Sequence, residues 1–222
     1  MGLNEDWLAT TVEEILEPEL PICDPHHHLW DTGMADSANF RKEQVEPRYL
    51  LDELRADLGS GHNVVSTVFI ECASMYREDG PAELRPVGET EFVNGVAAMS
   101  ASGLYGPTRI AAAIIGFADL MLGDGAASVL EAHIAAGGGR FRGIRHAASW
   151  DPSPDVRNSH TNPFQGMLAD ATFRAGFARL APLNMSFEGW CYHRQIPEMT
   201  ALARAFPDTT IILNHFGGPP GV

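Results

Sequence analysis

Six short runs rich in apolar and β-branched residues recur along the chain, at 20–28, 63–73, 108–118, 141–149, 182–191 and 209–217. Between them lie stretches with apolar residues at spacings of three and four, at 46–58, 89–102, 125–139, 163–180 and 196–207, which predict helices. Strands this continuously apolar are buried on both faces, so the alternation predicts a parallel sheet covered by helices, either an open doubly wound sheet or a (β/α)8 barrel. No G-x-G-x-x-G or P-loop follows the first strand, which disfavours the nucleotide-binding open sheets. Polar residues instead recur at the carboxyl ends of successive strands: His26 and His28, Glu71, Arg145 and His146, Glu188, Asn214 and His215. In a barrel that end carries the active site. The predicted fold class is therefore α/β, a (β/α)8 TIM barrel.

The barrel reading meets one difficulty. Eight strands and about 250 residues are usual for that fold, whereas this chain has 222 residues and six strand candidates. The expectation is that the sequence is the first two-thirds of a longer parent, with 1–20 an N-terminal extension and 21–222 a partial barrel domain. Six strands alone leave two unpaired edges, which favours a homo-oligomer as a further expectation. Composition places the chain among ordinary globular proteins, 45% hydrophobic and 20% charged. A net charge of -14 repels phosphate backbones and anionic lipid, so neither nucleic acid nor membrane is an expected partner. The start lacks the basic and apolar regions of a secretory signal, and no run approaches the roughly 20 apolar residues of a membrane span, which predicts a cytoplasmic protein. Cys23, Cys72 and Cys191 are scattered in apolar runs and read as reduced core residues.

The stretch DPHHHLWD, Asp24 to Asp31, closes the first strand. Alternation sends His26 and His28 to one side and His27 to the other. Two imidazoles in one space suit a divalent metal that acidifies a water or polarises a carbonyl. They equally suit direct hydrogen bonding to substrate, or capping of the strand end. The stretch resembles the strand-one D-x-H-x-H motif of the amidohydrolase superfamily. FRGIRH at the fourth strand, the helix QIPEMTALARAFP and IILNHFGGP at the sixth are similar to the amidohydrolase-2 branch, which includes 2-pyrone-4,6-dicarboxylate lactonase and sugar-lactone hydrolases. The resemblance runs from about Ile22 to the end.

That resemblance implies a hydrolase that opens a lactone or similar cyclic ester by water attack. His26, His28 and His215 would be the catalytic histidines and, if a metal takes part, its ligands. Arg145 would clamp a substrate carboxylate or lactone oxygen. The superfamily commonly uses zinc or another divalent ion such as manganese, but the lactonase-like members need none. Two departures stand out: Asn214 occupies a position where the branch often has Asp, and the strand-eight Asp that serves as general base has no counterpart in the sequence. A metal-dependent, non-oxidative decarboxylase of a small unsaturated or aromatic acid is the alternative on the same fold. A catalytically inactive remnant or a binding module is the third reading. The expected partner is a small anionic or sugar-like lactone.

Other residues complete the candidate site. Glu71 ends an apolar strand and needs a cation, an arginine or the substrate as partner, or forms an ion pair that merely holds the rim. In FRGIRH, alternation groups Arg145 with Phe141 and Gly143, and His146 with Arg142 and Ile144; a bulge at the strand end would turn both Arg145 and His146 inward. Glu188, Trp190 and Tyr192 share a face that suits a planar or sugar-like substrate, although tryptophan also fills core volume. His193 and His160 read as exposed loop residues. The loops at 31–49 and 150–164 follow strands one and four and so lie over the site.

Overall fold

The computed structural model describes residues 5–31, 48–156 and 159–219. Its main sheet holds six parallel strands in sequential order: β1 Ile22–His27, β2 Val64–Ile70, β3 Arg109–Gly116, β4 Phe141–Arg145, β5 Ser186–Gly189 and β6 Ile211–Leu213. Helices α1 Leu51–Leu58, α2 Val87–Ala101, α3 Ala126–Ala136, α4 Ala171–Phe177 and α5 Ile196–Ala205 intervene. Sequential parallel strands joined through helices form the wall of a (β/α) barrel, here curled over six strands. A short antiparallel pair, Trp30–Asp31 with Arg48–Tyr49, forms a separate two-stranded sheet shortly after β1. Most of the expected loop at 31–49 lies outside the described residues. Among the described residues no helix is long and apolar enough to cross a membrane.

Alternation along the strands decides what lies on each face. Phe69, Ile114, Ile144 and Phe187 are fully buried and pack with Val93, Leu130, Phe173 and Phe177 of the helices in one core. Their neighbours Val68, Ala113, Ile115, Ser186, Glu188 and Ile212 line a cavity of 410 Å³ on the concave side. In β4 the expected grouping fails at Phe141 and at Arg142, which lines that same cavity. Ile114 pairs with Phe141 but Ile115 pairs with Gly143, so Arg142 is bulged out of register and Phe141 turns to the helices, its ring stacked on His133 of α3 at 4.9 Å. Gly143 and Arg145 then pair with Ser186 and Glu188. Glycine is required at 143, because a Cβ there would lie 2.3 Å from the Ser186 hydroxyl.

Helix boundaries follow their local chemistry. The single helix expected over 163–180 is broken: Met167–Ala169 forms a 3₁₀ turn, and α4 begins only after Asp170, whose carboxylate accepts from Thr172 N and Phe173 N at 2.7 and 3.2 Å. Helix α3 stops at Gly137, and Gly138 and Gly139 take φ of 56° and 79°, the left-handed turn expected of GGGR. The last strand is shorter than the expected 209–217. It ends at Leu213, and Asn214–Gly217 form a turn with His215 and Phe216 at φ of 50° and 54°. All three cysteines are free, but only Cys191 is buried; Cys72 is half-buried and Cys23 exposed, which corrects the reading of all three as core.

Candidate active site

The carboxyl ends of β1, β2, β4, β5 and β6 bring one polar group together. A register shift in β1, with Asp24 opposite Thr67 but His27 opposite Phe69, marks a bulge next to Pro25, and Asp24 accepts from His26 N at 3.1 Å. His26 and His28 stay on one side, as alternation requires: their Nε2 atoms are 3.3 Å apart and their rings meet edge to face. His27 goes the other way, against Phe69, with both ring nitrogens buried and without a hydrogen-bond partner. The His215 ring, offered from the left-handed turn after β6, lies 5.0 Å from that of His26.

Arg145 is the centre of the group. Its Nε donates to Glu71 Oε1 at 2.7 Å and its Nη2 donates to the Glu71 backbone oxygen, with both side chains almost fully buried. Of the partners open to Glu71, a cation, an arginine or the substrate, the arginine is the one it takes. The remaining Nη1 sits 3.4 Å from His26 Nε2, and the guanidinium lies 5.5 Å from the Trp190 ring, which in turn packs against His215 at 5.6 Å. Glu188 accepts from Asn214 Nδ2 at 2.6 Å, so the residue where an Asp was anticipated instead satisfies the neighbouring carboxylate. Burial pushes the Glu188 carboxyl upward despite that bond.

The imidazoles are held neutral. Burial, reinforced by the Arg145 charge, lowers His26 to about 4 and His28 to about 3, and moves His215 in the same direction. A carbonyl can only accept, so the 2.7 Å contact between His28 Nδ1 and Ile70 O places the His28 proton on Nδ1 and leaves Nε2 as a lone pair aimed at His26. His26 Nε2 then meets an acceptor on one side and the Arg145 donor on the other. It cannot serve both with one tautomer, so the three nitrogens form a site that a substrate oxygen or a cation would resolve.

A metal is tested by distance. Two nitrogens on a tetrahedral zinc, each about 2.0–2.1 Å from the ion, stand about 3.3–3.4 Å apart, and the 3.3 Å between His26 and His28 Nε2 fits; the Ile70 carbonyl behind His28 is the kind of support metal-bound histidines have. Against it stands the Arg145 cation. Among the described residues no group of three His, Cys, Asp or Glu is assembled to hold an ion, so two ligands fit and a closed set does not.

Some candidates stand apart. His146 is buried on the helix side: its Nδ1 accepts from Leu120 N at 3.2 Å and its ring packs on Phe117 and Phe173. The bulge in β4 falls at Arg142, too early to turn it inward. His193 is exposed, as expected. His160, expected to be exposed, is three-quarters covered, with its Nε2 3.9 Å from Glu71 Oε2. Two buried residues carried no sequence signal. Glu89, at the start of α2, accepts from Cys72 N and Ser74 N at 3.0 and 2.8 Å and is pushed up to about 8 by burial. Gln195 Oε1 accepts from Trp150 N and Tyr192 N at 3.0 and 3.2 Å while its Nε2 donates to Ala148 O. A capping acid and an amide in a loop are too common in sequence to stand out.

A family model described as amidohydrolase, Amidohydro_2, matches residues 23–222. The chain belongs to the amidohydrolase family. Among its relatives, the uncharacterized protein y4mH of Sinorhizobium fredii is 30% identical over 209 residues, which are 90% of this chain and 63% of that protein. A Burkholderia multivorans amidohydrolase solved with bound zinc is 25% identical at a TM-score of 0.61, covering 89% of this chain and 58% of its own. The fold alone is shared with a candidate 2-pyrone-4,6-dicarboxylic acid hydrolase of Pseudomonas putida, 15% identical at a TM-score of 0.53, with 88% and 57% covered. This amidohydrolase chain thus spans less than two-thirds of these relatives' lengths.

Proposed function

We propose that the rim built by His26, His28, Arg145 and His215 binds an anionic lactone and polarises its carbonyl for hydrolysis. One observation carries the reading: Arg145 is locked by Glu71 through Nε and Nη2, which leaves Nη1 as a donor beside His26 Nε2. A fixed cation next to neutral imidazoles suits an oxygen that gains negative charge, because preorganised donors in a dry site need no reorganisation as the charge develops. In the reaction, a water oxygen bonds to the carbonyl carbon, its proton passes to a base, and the ring C–O bond breaks with its oxygen taking up a proton to give a hydroxy acid. The resemblance assigns the base to an aspartate beyond the six strands described. Trp190 and Glu188 would wall the ring of the substrate. The zinc of the Burkholderia multivorans relative supports metal assistance through His26 and His28, while the Arg145 charge supports the metal-free course.

The test is hydrolysis of a panel of carboxylate-bearing and neutral lactones, with and without chelator, by the protein and by Arg145→Met. Preference for the carboxylate-bearing lactones, lost in Arg145→Met, is the expected result. Turnover that releases carbon dioxide from an unsaturated acid instead would transfer the site to the decarboxylase reading. Zinc titration adds a second readout: if the histidine pair is a foothold for the ion, zinc raises Tm and His28→Ala abolishes the rise.

A further inference from the structure

Glu71 has a second carboxylate oxygen that the rim does not use. Its Oε1 and its backbone oxygen hold Arg145, but Oε2 is buried without a hydrogen-bond partner. His160 Nε2 lies 3.9 Å from it and is likewise buried without a partner. Leaving two such atoms unpaired is costly, and a shift of under about 1 Å would join them in a charge-assisted hydrogen bond. The surroundings aim the imidazole at this spot. Its ring rests on Phe117 at 5.6 Å, while the next residue, Thr161, donates to Ala147 O at 2.6 Å and meets the Ser159 hydroxyl at 2.5 Å.

We propose that His160 is a positioning residue that holds the free oxygen of Glu71 and so keeps the Arg145 guanidinium aimed at the substrate anion. Glu71 can rotate about its side-chain bonds unless both oxygens are held, and each rotation that frees Oε1 frees Nε of Arg145 with it. A donor at Oε2 closes that movement from the far side.

The part of this inference that concerns substrate rests on the lactonase reading, but its first test needs no substrate. With arginine labelled in ¹⁵N and the Arg145 Nε–H signal identified by its loss in Arg145→Lys, solvent exchange of that proton is measured in the protein, in His160→Gln and in His160→Phe. His160→Gln, which keeps a donor, should leave exchange near the original rate. His160→Phe, which keeps the ring on Phe117, should accelerate it about tenfold, the weight of one charge-assisted hydrogen bond. Unchanged exchange in His160→Phe overturns the proposal. Should that variant not fold, Thr161→Val loosens the same anchor and must show the same acceleration; unchanged exchange there overturns it equally. On any lactone that the protein opens, His160→Phe should lower kcat/KM with KM changed and His160→Gln should restore it, whereas a merely structural role would lower kcat alone in proportion to the folded fraction. Absence of lactone turnover would remove the lactonase reading and leave the exchange result standing.

Discussion

At the scale of single residues, Glu71 and Arg145 form a buried ion pair. Both side chains are nearly free of solvent, and removing one partner leaves a buried charge uncompensated. Glu71→Ala should therefore destabilise the protein by about 3–5 kcal/mol in urea unfolding, and Glu71→Gln by less, since the amide still bonds Arg145. The buried histidines set the response to acid. His133, whose Nε2 donates to Phe117 O and whose Nδ1 accepts from Thr90, is lowered by burial to about 4, and His146 likewise. Below the ordinary value of 6.5 the unfolded chain binds protons that the folded one refuses, so stability is present above about 6.5 and is lost as pH falls toward 4, by up to about 3 kcal/mol for His133. Glu89, raised to about 8 by burial, acts with the opposite sign: its contribution is complete below about 4.5 and is lost as pH rises through 8. Urea midpoints measured from pH 4 to 9 should peak near 6.5, and His133→Gln should flatten the acid side.

At the scale of elements, the site depends on the register between strands and on one amide between loops. Alternation past the register shift in β1 leaves His26 and His28 on one face, and the unbroken register of β4 with β5 puts Arg145 opposite Glu188. Gln195 ties the ends of β4 and β5 through three hydrogen bonds to loop backbone. Gln195→Ala would leave buried backbone groups unpaired, so a loss of about 2–4 kcal/mol is expected in the same unfolding assay. Because Trp190 follows β5 directly, that variant should also shift the tryptophan emission. Strand alternation was legible in the sequence and placed most of these side chains on the correct face. The bulges were not, because a register slip is set by the neighbouring strand and leaves no mark in a single strand's pattern.

At the scale of the whole molecule, the net charge of -14 surrounds a rim whose central group is a cation. Long-range repulsion between exposed charges is screened by salt, whereas the buried Arg145 contact is screened far less. Raising ionic strength should therefore increase kcat/KM for a carboxylate-bearing lactone and leave that for a neutral lactone nearly unchanged. Equal salt responses for both would show that the substrate anion does not feel the protein's field. The open sheet also bears on assembly: β1 and β6 are edges of the six described strands, and Ile212 and Leu213 of β6 are each 43% exposed.

The sequence by itself determined the alternation of strands and helices, the parallel barrel wall, and the rise of polar residues at one end of it, because apolar periodicity and turn chemistry are local and survive in a linear string. It also pointed to His26, His28, Arg145 and His215 as one group. Only the tertiary structure decided that Glu71 clamps Arg145, that Asn214 serves Glu188, that His146 turns to the helices and that His160 reaches inward. Each of these depends on which strand lies beside which and on where a register slips. Burial then assigns the charges: removal from water holds the imidazoles neutral and makes the Glu71 contact with Arg145 obligatory.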